Sequence, residues 1–77
     1  MCTSIVEVAS VQGVGKGPRG WFAVGQMVVD CDHPTHAMLE QSVNIDFMNP
    51  ALGPEARVAL ELTPESARTL AQAILRS

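Results

Sequence analysis

Apolar and polar residues alternate with a period of two over much of the chain, which is the pattern of a half-buried β-strand. The clearest case is the segment 40–48, where three apolar residues share one face and three polar residues share the other: Val43, Ile45 and Phe47 against Ser42, Asn44 and Asp46. Runs of β-branched and alternating residues predict three more strands, over 3–12, 21–32 and 56–62. The pattern therefore predicts a sheet of four strands.

The second predicted strand, 21–32, is apolar on both sides. Its odd positions from Trp21 to Cys31 form a nearly continuous apolar face, and Phe22, Val24 and Val28 lie on the other face. Such a strand is typical of a barrel wall or of an interface between subunits. The glycine-dense segment 13–20 before it is predicted to be a flexible hairpin loop.

The period changes from two to 3.6 at the end of the chain. Thr63 is a good N-cap, Pro64 suits the first helical position, and Glu65 places a carboxylate at the positive end of the helix dipole. The following apolar residues recur at helical spacing: Ala67, Leu70, Ala71, Ile74 and Leu75. The predicted fold is α+β, a small four-stranded, mostly antiparallel and barrel-like sheet with one C-terminal helix on one of its faces, in a single domain over 1–77.

Composition limits the partners. The chain has 77 residues, of which 47% are apolar and 17% charged. A domain this small has little core to hide so much apolar surface, so a homodimer or higher oligomer is expected. A net charge of −3 and five scattered basic residues argue against nucleic acid. No apolar run suits a membrane span and no signal region begins the sequence, so a cytoplasmic protein is expected, without membrane contact.

Residues that could bind a metal or transfer protons are concentrated in the segment 30–36, Asp-Cys-Asp-His-Pro-Thr-His. This segment contains both histidines of the chain. His33 and His36 are three residues apart in a turn-like context, and imidazoles so placed can bind one transition metal. Two histidines are an incomplete site, so a further ligand must come from this set: Cys2, Asp32, Glu40 and Asp46. Such a mixed set suits zinc, copper or iron. The alternative is a strand-ending turn with solvated imidazoles.

The two cysteines have different expected roles. Cys2 is a candidate metal ligand from another strand, and equally a small buried apolar residue at the start of an edge strand. Cys31 follows the apolar face of its strand and is expected to be a small core residue. The two could pair, but a reducing compartment favours free thiols or metal ligands.

Two carboxylates are candidates for proton transfer. Asp46 lies on the polar side of the third predicted strand beside Asn44, and Glu40 lies at its beginning. Either could act as a general base or orient an imidazole. The competing interpretation is that Asp46 is simply solvated on an outer sheet face.

Several short motifs carry a resemblance to a known family. They are Met-Cys-Thr at 1–3, Gly-Lys-Gly at 15–17 with Gly-Trp-Phe at 20–22, Asp-His-Pro at 32–34 with His-Ala at 36–37, and Asn-Ile-Asp-Phe at 44–47 with Asn-Pro at 49–50. With these motifs the chain resembles a family of small actinobacterial proteins of about this length and of unknown function. The resemblance covers nearly the whole chain and implies one intact domain, but no activity or cofactor.

Three functional hypotheses follow. The first is a small metal-binding protein, or a compact metalloenzyme acting on a small-molecule substrate, with His33 and His36 as ligands and Asp46 or Glu40 moving protons. The second is a non-catalytic, homo-oligomeric accessory or interaction module that uses its apolar strand face and helix. The third is a metal-free acid–base enzyme that uses His33 or His36.

Overall fold

The computed structural model describes residues 6–32 and 41–77, which form one antiparallel sheet and a C-terminal helix. The strands are β1 (Val6–Gly17), β2 (Gly20–Asp32), β3 (Ser42–Met48) and β4 (Arg57–Leu62), and the helix is α1 (Pro64–Leu75). Each strand pairs with its neighbour in sequence, in the order β1-β2-β3-β4. The predicted α+β fold is confirmed, with an open sheet rather than a closed barrel. A 3₁₀ helix, Pro50–Leu52, lies in the connection between β3 and β4.

The register across β2, β3 and β4 separates two faces of the sheet. Val29, Ile45 and Leu60 are paired in a row, and the next row is Asp30, Asn44 and Glu61. Because paired residues in adjacent strands project to the same side, one face is apolar and the other polar. We call the first the apolar face, with these residues: Met27, Val29, Val43, Ile45, Phe47, Val58, Leu60 and Leu62.

The glycine-rich segment 13–20 is not a flexible loop, so that prediction was wrong. β1 runs on to Gly17, which pairs with Gly20 across a two-residue turn of Pro18 and Arg19. Gly20 has φ of 108°, a conformation that glycine adopts without the clash of a Cβ atom. The glycine therefore allows a tight hairpin where the sequence pattern indicated a long connection.

Glycine in β1 also allows the strand to approach β4. A Cβ atom at Gly17 would lie 3.1 Å from the backbone oxygen of Glu55, and one at Gly15 would lie 3.3 Å from a methyl group of Val58. The sheet is therefore coiled enough to bring its two edge strands together at this end, although they are not neighbours in the pairing order. A side chain at either glycine would crowd this approach.

The helix begins where the sequence predicted. Thr63 is the N-cap, and its hydroxyl oxygen accepts a hydrogen bond of 3.0 Å from the backbone N–H of Ser66. α1 contacts β3 and β4. Ala67 is half-buried, but the rest of the helix beyond it is exposed, including Ile74 at 63% and Leu75 at 83%. The expected packing on the sheet is thus limited to the beginning of the helix.

The core is very small. Among residues 6–32 and 41–77, three apolar residues are buried, Val24, Ile45 and Ala56, and the buried polar residue is Ser42. α1 is twelve residues long, and the described part of the chain contains no helix with the length and apolarity to cross a membrane. One chain therefore leaves much of its apolar face without a covering layer.

Candidate functional site

The polar face of the sheet carries an ion pair at Asp46, one of the predicted proton-transfer residues. Asp46 lies in the middle of β3, and Arg57 begins β4. The Nε and Nη2 atoms of Arg57 each lie 2.8 Å from the same carboxylate oxygen of Asp46. Asp46 keeps 17% of its side-chain surface exposed and Arg57 keeps 55%. The carboxylate is therefore largely shielded from solvent, and one of its two oxygens is occupied by the guanidinium group.

A chain of hydrogen bonds crosses the end of the β2–β3 hairpin. Ser42 Oγ donates to Asn44 Oδ1 at 2.8 Å, and Asn44 Nδ2 donates to Asp30 Oδ1 at 2.7 Å. Ser42 is fully buried and also faces Asp32 in the backbone register. These contacts hold together the two strand ends from which the segment 33–41 departs and to which it returns.

The predicted metal site is centred outside the described residues. His33, His36, Glu40 and Cys2 all lie outside residues 6–32 and 41–77. Asp32 is placed by its backbone pairing with Ser42. Within residues 6–32 and 41–77, no group of three or more His, Cys, Asp or Glu side chains is arranged to hold a metal ion. Convergence of the two histidines with a third ligand stays a prediction.

Cys31 differs from the expectation of a free thiol, because its sulfur is disulfide-bonded. The residue is half-buried and pairs with Val43 across β2 and β3. A disulfide sulfur is not a thiolate, so it is neither a nucleophile nor a ready metal ligand. The prediction failed because it assumed a reducing compartment, and two cysteines 29 positions apart in sequence show nothing about their separation in the fold.

An apolar cleft lined by residues of all four strands was not foreseen from the sequence. Its volume is about 290 Å³, and its apolar lining includes Val11, Val24, Phe47 and Val58. Gly13 and Gly15 form part of the wall, so the backbone of β1 is itself a lining surface. The unusual density of glycine in a strand was the available signal, since glycine inside strands often marks close backbone approach.

Large apolar side chains are also exposed at the hairpin end of the sheet. Trp21 is 71% exposed and Val14 is 69% exposed. The sequence is consistent with Trp21 as a core residue, an interface residue or a residue at the mouth of a pocket, and this exposure excludes the core of the single chain. Exposed tryptophan is enriched among the residues that dominate binding energy at protein interfaces. Trp21 is therefore a surface residue suited to contact with another molecule.

Comparison with protein families identifies the family of this chain. It belongs to a family described as a family of unknown function, DUF6295, whose sequence model matches residues 1–77. Comparison with curated proteins and with solved structures finds no match. The match confirms that the resemblance to a family of unknown function extends over the whole chain, and its description names no activity.

Proposed function

We propose that this protein is a non-catalytic interaction module that assembles with further copies of itself. The observation that carries the proposal is the balance of buried and exposed apolar residues. Three apolar residues are buried among those described, whereas nine large ones are exposed: Val6, Val8, Val14, Trp21, Leu52, Leu60, Leu70, Ile74 and Leu75. Single exposed apolar residues are ordinary, but so many beside so small a core favour contact with another chain.

Unfolding at several protein concentrations tests this proposal. Association stabilises the folded state by mass action, so the thermal midpoint of an oligomer rises with protein concentration. We expect a clear rise across a hundredfold range of micromolar concentrations. A midpoint that is independent of concentration would show that the single chain is stable alone and would overturn the proposal.

Metal binding is the second candidate, and the base of the β2–β3 hairpin is the observation that favours it. Asp32 and Ser42 are paired, so the segment that contains His33 and His36 is closed at both ends. Closure restricts the separation of residues within the segment, which favours a shared metal site. A disulfide within one chain would join Cys31 to Cys2, the other cysteine, and would leave the carboxylates to complete a zinc, copper or iron site. Metal analysis of untagged protein tests this candidate.

The acid–base role predicted for Asp46 has weaker support. A general base must reach the proton of a substrate directly or through water, and Arg57 already binds one oxygen of this carboxylate. Glu40, the alternative, lies outside the described residues. A metalloenzyme or a metal-free acid–base enzyme acting on a small molecule therefore has less geometric support than assembly.

The redox state of Cys31 bears on the location of the protein. A cytoplasmic protein was expected, and structural disulfides are rare in that compartment. The disulfide at Cys31 bears against this expectation. Trapping free thiols in intact cells before lysis would decide between them, because a cytoplasmic chain should be labelled at Cys31 and an exported one should not.

A further inference from the structure

β1 is an edge strand with one open side. It pairs with β2 and stands at the end of the pairing order, so within residues 6–32 and 41–77 no strand pairs with its other side. The strand is twelve residues long and mostly exposed, including Val6 at 56% and Val8 at 57%. An edge strand presents a row of unpaired backbone N–H and C=O groups. The chemical match for such an edge is another extended strand, which forms main-chain hydrogen bonds along it.

The approach of β4 to β1 leaves this edge open. A Cβ atom at Gly17 would meet the backbone oxygen of Glu55, and one at Gly15 would meet a methyl group of Val58. Cβ atoms project out of a sheet, whereas the hydrogen bonds between strands run along it. The beginning of β4 therefore lies over one face of β1 rather than beside its edge. In the described part of the chain, no backbone hydrogen bond joins these two strands.

The two charged residues of β1 lie symmetrically about its centre. Glu7 is the second residue of the strand and Lys16 is the second from its end. Their odd spacing would place them on opposite faces of a regular strand, but the register shift in the middle of β1 adds one residue. Glu7 pairs with Val29 and Lys16 with Trp21, both odd positions of β2, so the two charges share a face. Both side chains are exposed, and within residues 6–32 and 41–77 neither forms an ion pair.

Resting on the proposed self-assembly, we propose that the occupant of this edge is β1 of a second copy, paired antiparallel about a two-fold axis. When the two strands overlap from end to end, Val6 faces Gly17 and Glu7 faces Lys16 of the other copy. Opposite charges that face each other across antiparallel strands are stabilising. Because the axis repeats each contact, the dimer contains the Glu7–Lys16 pair twice. The charges of β1 are thus complementary to a second β1 in this register, which is the observation that selects the occupant.

Charge reversal tests this pairing. Glu7→Lys makes lysines face each other at both contacts of the dimer, and Lys16→Glu does the same with glutamates. Each single variant should raise the dimer dissociation constant, measured by analytical ultracentrifugation, by about tenfold. The matched controls are Glu65→Lys and Arg68→Glu on α1, which make the same changes in net charge away from β1 and should leave the constant unchanged. Circular dichroism should show the wild-type fold in every variant.

Restoring opposite charges separates the proposed pairing from other modes of self-assembly. A chain that carries both Glu7→Lys and Lys16→Glu again has unlike charges face to face, so it should dimerise like wild type. An equimolar mixture of the two single variants should form a heterodimer more tightly than either homodimer, because both of its facing pairs are unlike. If the single variants behave like their controls, or if the double variant is weaker than either single variant, the β1 pairing is overturned while self-assembly stands. A monomeric wild-type chain would overturn both.

Discussion

Arg57 and Asp46 form an ion pair on the polar face of the sheet, in which Nε and Nη2 of Arg57 each lie 2.8 Å from the same carboxylate oxygen, Oδ1. The geometry differs from the parallel two-oxygen pairing that makes arginine–carboxylate contacts strongest. It joins Asp46, inside β3, diagonally to Arg57, the first residue of the neighbouring strand β4. The pair is therefore a partly solvated ion pair between two neighbouring strands.

A double-mutant cycle on this pair should give a small coupling free energy. With Arg57 55% exposed, water screens the interaction, and exposed pairs are worth about 0.2–1 kcal/mol. Asp46→Asn, Arg57→Ala and the double variant, unfolded in urea, give the value, and Arg68→Ala on α1 is the control for loss of a surface arginine. A coupling of several kcal/mol would contradict this account and indicate a desolvated pair.

Replacing Gly17 by alanine should destabilise the fold. The new methyl group would lie 3.1 Å from the backbone oxygen of Glu55 and 3.2 Å from the ring of Phe22. Because a backbone oxygen cannot rotate away, we expect a loss of about 1–3 kcal/mol in the free energy of unfolding. Gly25→Ala is the matched control, since its Cβ atom would meet nothing within 4 Å. Equal stability of the two variants would show that Glu55 and Phe22 do not crowd Gly17.

The strand and helix assignments were predictable wherever one local signal dominated. Alternation along residues 42–48 and the Thr63-Pro64 start of the helix each depend on neighbours in sequence, and both are confirmed. The segment 13–17 was misassigned because glycine is permissive in loops and in crowded strands alike. A loop and a crowded strand are distinguished here by the approach of Glu55 to Gly17. Glu55 lies 38 residues after Gly17 in sequence, so local patterns do not reveal this contact.

The candidate site was less predictable than the fold. The contact between Asp46 and Arg57 depends on the register of β3 against β4. A period-two pattern shows which face of a strand is buried, but it fits equally well after a shift of two residues, so it does not determine the register. The poor burial of α1 also lay beyond sequence reasoning, because an amphipathic stripe predicts that a helix is covered but does not identify the covering chain.

Removal of either histidine should abolish any specific binding of a divalent transition metal. His33→Ala and His36→Ala each remove one of the two imidazoles in the segment that joins Asp32 to Ser42. Isothermal titration calorimetry with zinc should show binding by the wild-type chain and at least a tenfold loss of affinity in each variant. Thr35→Ala, between them, is the control. Wild-type protein that binds no metal, or variants that bind it unchanged, would exclude the site.

The state of Cys31 can be read directly by mass. Alkylation of the folded or denatured chain without reductant should leave Cys31 unlabelled, because its sulfur is disulfide-bonded. A bond within one chain makes the protein lighter than its reduced form by two hydrogen atoms, whereas a bond between chains doubles the mass. Cys31→Ser should lower the free energy of unfolding by about 2–5 kcal/mol, as loss of a native disulfide does in small domains. Alkylation of Cys31 without reductant would contradict the assignment.

Native mass spectrometry at micromolar concentration tests self-assembly most directly. In the proposed assembly, one chain, with three buried apolar residues among those described, completes its burial against another copy. We expect a dominant species at twice the 8.2 kDa mass of the chain, which dissociates when the protein is diluted without reductant. A spectrum that contains only the 8.2 kDa chain across micromolar concentrations would contradict it.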